Sequence, residues 1–144
     1  MGIIIATEDD QLIYWNPAAR EIHGFKMPED SIVSLKEAQL SYELWTPDGC
    51  HLLGLDEWPL KRMKRGETVR DLELRLRRLD QDWERIISYS GSMVETASGE
   101  RLIFLSIYDL TEQRKAEAAL RESEERFRNL AESLPHLVWT ANAD

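Results

Sequence analysis

Few residues in this sequence have the types and spacing that metal or covalent chemistry requires. The chain holds one cysteine, Cys50, and three histidines, His23, His51 and His136. A single thiol builds neither a disulfide nor a thiolate metal site within one chain, and the histidines lack a metal-ligand spacing. The acidic residues have no neighbouring base or nucleophile in a recognisable motif, and no glycine-rich phosphate loop occurs. The sequence therefore predicts a chain that is not an enzyme and binds no metal.

The charge and apolar content of the chain argue against several classes of partner. Its 144 residues carry a formal net charge of −9, whereas phosphate contacts need an excess of Lys and Arg. The basic stretch Arg75–Arg78 has acidic residues interleaved around it, which is typical of the polar face of a strand. No apolar run approaches the roughly 20 residues of a membrane span, and no leader is evident. We expect a soluble, cytoplasmic protein that contacts neither nucleic acid nor a membrane.

The first 25 residues predict a hairpin followed by a short helix. Ile3–Ile5 and Leu12–Trp15 have strand composition and are separated by an acidic turn. Asn16 is a favoured N-cap residue, and Pro17 suits the first helical position because it has no N–H to leave unpaired. Gly24 then stands where a helix often ends in a left-handed conformation. These signals place a helix of about six residues directly after the hairpin.

The remainder of the first 110 residues predicts short helices and then three more strands. Residues 28–66 are expected to form short helical pieces and a turn, the last piece being Glu57–Gly66. The apolar period then changes to two at Leu72–Leu76, and further strands are expected at Trp83–Met93 and Leu102–Tyr108. This order favours an α+β domain in which short helices cover one face of a five-stranded antiparallel sheet.

The last strand is apolar on both of its alternations, which indicates a central strand covered on both faces. The helices can cover only one face. We expect Ile103, Leu105 and Ile107 to lie on the other, outer face, where another segment must shield them from water.

A charged helix follows this strand. Apolar and small residues recur at alternating spacings of four and three from Thr111 onward, and Glu–Arg pairs four residues apart flank them. The seam positions are Ala116, Leu120, Ser123, Phe127, Leu130 and Leu134. The pattern predicts a continuous helix from about Thr111 to Ser133 that self-associates as a short coiled coil, although a solvated surface helix would also fit. We expect the apolar tail, residues 123–144, of the same chain or of a partner to pack on the outer sheet face.

Several motifs, taken in order, resemble the PAS sensory domain over about residues 3–111. Asp10–Ala18 is similar to the family's opening hairpin, which ends in an Asn that caps the next helix. Asp109-Leu110-Thr111 resembles the Asp-Ile-Thr signature that ends the last strand and starts the output helix. The other matching stretches are Gly24-Phe25, Thr46–Gly49, Glu57–Leu60 and Gly66-Glu67. The stretch from Arg121 onward resembles the entry into a second PAS domain.

The resemblance implies a sensor at 1–111, an output or linker helix at 112–134 and the beginning of a following PAS domain at 135–144. The chain would then be part of a longer bacterial signalling protein, whose downstream effector is a sensor histidine kinase or a cyclic-dinucleotide enzyme. Its task would be to convert a ligand or partner state into movement of the output helix. The alternative is a ligand-free dimerisation or spacer module. In either case we expect a homodimer through the C-terminal helix and the outer sheet face.

The resemblance also lets two cofactors be tested against the residues. Cys50 follows a Pro-Asp-Gly turn rather than lying in the helical motif of flavin-binding light sensors, and Asp56–Arg65 lacks the axial His of haem-binding members. His23 ends a helix, where a cation interacts favourably with the dipole, so we expect it to cap that helix. The sequence predicts neither haem nor flavin, and a small organic ligand stays open.

Aromatic side chains with a few polar groups are the candidates for lining a ligand pocket, although ordinary core packing would also explain them. They are Trp15, Phe25, Tyr42, Trp45, Trp58, Tyr89, Ser106 and Tyr108. Asp109, Thr111 and Arg114 are the candidates for signal transmission. Thr111 is expected to cap the output helix, and Asp109 to hold Arg114 or the nearby backbone.

Overall fold

The computed structural model describes residues 1–25 and 32–133. The chain divides into two compact units, Met1–Leu110 and Thr111–Asp144. In the second unit the structure describes one helix, and in the first it describes a sheet with short helices. The expected beginning of a further domain at 135–144, and the second half of the apolar tail, residues 134–144, lie outside the described residues. In the described part of the chain, no helix is long and apolar enough to cross a membrane.

The sheet of the first unit has six antiparallel strands. Their bounds are β1 (Gly2–Thr7), β2 (Leu12–Trp15), β3 (Tyr42–Trp45), β4 (Val69–Arg78), β5 (Trp83–Glu95) and β6 (Arg101–Asp109). Their order is β2-β1-β6-β5-β4-β3, so β6 is central, as its sequence predicted. The α+β class is confirmed, but the sheet has six strands rather than the expected five. The additional strand, β3, holds only four residues at an edge, too few for a clear period of two.

The helices of the first unit are short because N-cap residues and prolines lie close to one another along the chain. Their bounds are α1 (Pro17–Ile22), α2 (Leu35–Ser41), α3 (Pro59–Lys64) and, in the second unit, α4 (Thr111–Ser133). Asn16 caps α1 as predicted, because its side chain accepts a hydrogen bond from the Ala19 N–H at 2.9 Å. The helix expected at 57–66 is interrupted, since Trp58 precedes a Pro and is extended. A 3-10 turn, Leu55–Glu57, lies before it. The prediction of a continuous C-terminal helix is confirmed by α4.

The residues on the inner and outer faces of β6 are the reverse of those predicted. Ile103, Leu105 and Ile107 are 1%, 3% and 0% exposed and belong to the core that the helices cover. Phe104 and Tyr108 lie on the outer alternation and are 41% and 49% exposed. Because both alternations are apolar, the sequence could not decide between the two faces, and a shift of one residue exchanges them.

Candidate functional site

A cavity lies between the short helices and the inner face of the sheet, within the unit Met1–Leu110. Its volume is about 50 Å³. The lining residues are Ile4, Leu12, Trp15, His23, Leu35, Ala38, Tyr42, Leu44, Trp58, Pro59, Leu60, Leu76, Tyr89 and Leu105. None of these described residues is an Asp, Glu, Lys or Arg. The cavity is therefore an apolar space with a small number of polar groups, as in many small-molecule sites.

Four of the eight predicted pocket residues line this cavity: Trp15, Tyr42, Trp58 and Tyr89. Tyr42 and Tyr89 lie on the inward alternations of β3 and β5, where both are buried. Trp58 precedes α3, and Trp15 ends β2. Sequence position and alternation thus bring residues from four separate segments to one place.

The other four predicted residues do not line the cavity. Ser106 and Tyr108 alternate with the buried Ile107 and therefore lie on the outer face of the sheet. Trp45 follows a buried residue of β3 and lies on the same outer face. Phe25 packs against the ring of Trp15, with centroids 5.1 Å apart, but is not part of the cavity wall. Residue type alone does not reveal which face of a strand Trp45, Ser106 and Tyr108 occupy, and Phe25 lies after α1 rather than on a strand.

His23 caps the end of α1 as expected, but it does so as a neutral residue of the cavity wall and not as a cation. It is 6% exposed, and its Nδ1 lies 2.9 Å from the Ala19 carbonyl oxygen. A carbonyl can only accept, so Nδ1 carries the proton and Nε2 remains an acceptor. Burial, aided by the nearby charges of Arg85 and Arg78, lowers the pKa of His23 to about 4. The imidazole is therefore uncharged at neutral pH.

Aromatic rings surround this imidazole. Tyr42 and Trp15 both contact it edge to face, with centroids 5.4 Å and 4.8 Å from that of His23. The Tyr42 hydroxyl donates to the His23 carbonyl oxygen at 2.5 Å. Burial raises the pKa of Tyr42 to about 12, so this hydroxyl keeps its proton and remains a donor. The ring of Tyr42 thus touches both the cavity and the end of α1.

Arg85 of β5 binds the last turn of α1. Its Nη1 donates to the Glu21 carbonyl oxygen at 2.8 Å and also to that of Ile22. The last carbonyl groups of a helix have no intrahelical partner, and this guanidinium supplies one. The Arg85 guanidinium also lies over the Trp83 ring, 4.3 Å from its centroid. The contact therefore combines two charge-assisted hydrogen bonds with a cation–π contact.

Arg78 of β4 binds the chain just after α1. Its Nη1 donates to the Gly24 carbonyl oxygen at 2.8 Å and to that of His23 at 3.1 Å. Its Nε donates to Asp80 Oδ1 at 2.6 Å, and this hydrogen bond lowers the pKa of Asp80. The basic stretch Arg75–Arg78 was predicted to form one polar face of a strand. Its residues instead lie on both faces: Arg77 is exposed on the outer face, whereas the Arg78 side chain lies on the face that carries the helices.

Sequence reasoning missed Arg78 and Arg85 because their partners lie 54 to 64 positions away along the chain. One local signal was present. Arg85 shares its alternation with the buried residues Ile87 and Tyr89. A charged residue on the inward alternation of a strand indicates that a polar partner lies in the interior.

The strand that carries Arg85 also holds the junction before α4. Ile86 follows Arg85, and its carbonyl oxygen accepts a hydrogen bond from the Leu110 N–H at 2.7 Å. Of the predicted transmission residues, Asp109 ends β6, Thr111 begins α4, and Arg114 forms an ion pair with Glu117 at 2.8 Å. Their roles in signalling stay predictions.

Cys50 and His51 lie on an exposed loop away from the cavity wall. The Cys50 thiol lies 3.8 Å from the Asp48 carbonyl oxygen, and His51 Nε2 lies 3.1 Å from a Glu57 carboxylate oxygen. Among residues 1–25 and 32–133, no group of three or more His, Cys, Asp and Glu side chains is arranged to hold a metal ion.

Replacing Arg85 by Met should lower the free energy of unfolding by about 2 kcal/mol, because two carbonyl groups at the end of α1 lose a charged donor. Arg77→Met is the matched control, since Arg77 is exposed on the outer face, and it should change stability by less than about 0.5 kcal/mol. Chemical denaturation of the three proteins measures this. Equal stability of the two variants would show that Arg85 does not hold α1.

His23 should make stability depend on pH between about 6.5 and about 4. The folded-state pKa of about 4 lies below the ordinary value of 6.5, so the unfolded chain binds more protons in this window. The stabilisation is present above pH 6.5 and declines by up to about 3 kcal/mol as the pH falls. Unfolding of wild type, His23→Gln and the exposed-loop control His51→Gln should show a flatter slope for His23→Gln alone. Parallel slopes for all three would contradict a buried neutral imidazole.

Residues 1–50 match the family model of the PAS domain. The matched range includes β1, β2, α1, α2 and β3, and thus contains Trp15, His23 and Tyr42 of the cavity wall. None of the curated proteins compared with the chain matches it. The match supports a PAS domain, and the antiparallel sheet with short helices, together with the helix α4, forms an α+β fold of the PAS type.

Proposed function

We propose that the chain is a sensory and signal-transduction module of a bacterial signalling protein, in which the state of the cavity controls α4. One observation carries the proposal. The cavity wall at His23 belongs to the end of α1, which Arg85 holds, and the residue after Arg85 holds Leu110, directly before α4. These hydrogen bonds, joined by the backbone between Arg85 and Ile86, connect the end of α1 with Leu110, the residue before the output helix.

The proposed mechanism uses small displacements. A ligand that touches His23 or Tyr42 moves the end of α1, and the Arg85 guanidinium follows the carbonyl groups to which it is bound. The backbone at Ile86 then shifts, and the Leu110 N–H bonded to it either follows or loses its hydrogen bond. A bias of about 1–3 kcal/mol at this junction is enough to change the population of two helix positions by a factor of about 5 to 150.

The surroundings of the module are part of the proposal. The effector, a sensor histidine kinase or a cyclic-dinucleotide enzyme, would lie downstream in a longer cytoplasmic protein, and this chain itself would have no catalytic activity. We propose that it carries neither haem nor flavin. A cavity of about 50 Å³ is much smaller than the usual 300–1,000 Å³ of sites for such molecules.

A ligand-free dimerisation or spacer module is the second candidate, and exposed apolar surface favours it. On α4, Leu120, Phe127 and Leu130 are 61%, 74% and 58% exposed. On the outer sheet face, Tyr14 pairs with Ile5, which pairs with Phe104, so an apolar row crosses three strands. Both candidates therefore include a homodimer through these surfaces, and only the sensor requires an occupied cavity.

Native mass spectrometry of protein purified from cells separates the two candidates. The sensor predicts a reproducible non-covalent adduct that is lost after complete unfolding and refolding. It also predicts a shift in the monomer–dimer equilibrium, measured by sedimentation, between native and refolded protein. The spacer predicts no adduct and identical sedimentation of the two preparations. That second result would refute the sensory function.

Phe127→Glu should weaken self-association at least tenfold, because it places a charge on the apolar seam of α4. Asn129→Glu adds the same charge to the same helix two residues away from the seam position and is the matched control. Sedimentation equilibrium at tens of micromolar should show dimer for wild type and Asn129→Glu and monomer for Phe127→Glu. Monomer for all three proteins would exclude α4 as a dimer contact.

A further inference from the structure

Tyr89 is a residue of the cavity wall whose hydroxyl group has no hydrogen-bond partner among the described residues. The residue lies on the inward face of β5, is 4% exposed and lines the cavity. Among residues 1–25 and 32–133, its hydroxyl makes no hydrogen bond. Burial raises the pKa of Tyr89, so the hydroxyl keeps its proton and can donate. The hydroxyl therefore has an unused donor, and a ligand atom that accepts from it inside the cavity gains a hydrogen bond.

Of the other polar groups on the cavity wall, two already donate hydrogen bonds to the protein and two have no partner among the described residues. The Tyr42 hydroxyl and the Trp15 Nε1–H are occupied, since they donate to the carbonyl oxygens of His23 and Ile32. His23 Nε2 and Trp58 Nε1, like the Tyr89 hydroxyl, have no hydrogen-bond partner within the described part of the chain. A ligand thus meets one acceptor and up to two donors on an otherwise apolar wall.

The charge of the wall selects against ions. The one titratable ring that could become cationic, His23, is neutral at pH 7. Two positive charges, Arg78 and Arg85, lie behind it and bind carbonyl oxygens of α1 and the residues after it, so a cationic ligand would be repelled. An anion would find no charged donor on the described wall, and burying it without one is costly.

The volume sets an upper limit on size. A cavity of about 150 Å³ holds benzene, and this one measures about 50 Å³. A molecule of a few heavy atoms fits the space as it stands. A single six-membered ring requires the surrounding side chains to move apart, and a larger molecule would require the helices to separate from the sheet.

We propose that the cavity binds a small, uncharged, mainly apolar molecule, no larger than one six-membered ring, whose acceptor atom receives a hydrogen bond from the Tyr89 hydroxyl. This inference rests on the proposed sensory function and specifies the chemical class of its ligand. The acceptor atom gives the molecule its orientation, and the apolar wall of leucine, isoleucine and aromatic side chains supplies most of the binding free energy.

Three compounds with the same ring test the class: cyclohexanone, cyclohexanecarboxylate and cyclohexylammonium. Isothermal titration calorimetry on the full chain should detect binding of cyclohexanone, with at least tenfold weaker binding of both ions. Tyr89→Phe should weaken cyclohexanone binding about tenfold, the usual effect of one hydrogen bond. Tyr108→Phe is the matched control, because it removes a Tyr hydroxyl on the outer face, 3.2 Å from Met1 Sδ, and should leave the affinity unchanged.

Three results would overturn the inference: equal affinity of wild type and Tyr89→Phe for cyclohexanone, binding of either ion as tight as that of the ketone, or no binding of the ketone at millimolar concentration. If Tyr89→Phe fails to fold, the comparison of the ketone with the two ions and magnetisation transfer from the ketone to the Tyr89 ring decide instead. None of these results refutes the sensory function, which fails only if no adduct co-purifies and refolding leaves self-association unchanged.

Discussion

Helix α1 is six residues long and ends against the inner face of the sheet, where carbonyl oxygens of its last turn and of the two residues after it need donors from elsewhere. Arg85, Arg78 and Tyr42 supply them from three different strands. So short a helix has little stability of its own, and its position is set by these long-range contacts. The cavity wall, the neutral imidazole of His23 and the path to the β6–α4 junction all depend on where this helix ends.

The same contacts explain the chemistry of the cavity. The guanidinium groups bind backbone carbonyl oxygens and do not line the space, so their charges act on His23 from behind and leave the wall uncharged. An uncharged apolar wall can admit a neutral molecule without a counter-ion. In the proposed ligand site, the Tyr89 hydroxyl distinguishes neutral molecules that can accept a hydrogen bond from those that cannot.

Local signals in the sequence were sufficient for much of the fold. Asn16 and Pro17 fixed the start of α1, the alternation at Leu72–Leu76 identified β4, and the doubly apolar β6 was correctly placed at the centre of the sheet. The face of β6 was wrong because both alternations are apolar. Half of the expected pocket residues lie elsewhere for the same kind of reason. Arg78 and Arg85 were missed because the carbonyl groups that they bind lie in a distant part of the chain. The spacing of apolar and polar residues does not predict a contact between such distant segments.

Amide hydrogen exchange at Leu110 tests the central claim, that the cavity and the start of α4 are coupled through Arg85. Ala38 lies on α2 in the cavity wall, so Ala38→Met fills part of the space from a helix that holds neither His23 nor Arg85. Ala38→Met should change the exchange rate of the Leu110 amide by about fivefold or more, and the change should disappear when Arg85→Met is also present. An unchanged exchange rate at Leu110 in Ala38→Met, together with changed rates for amides beside the cavity, would contradict this coupling.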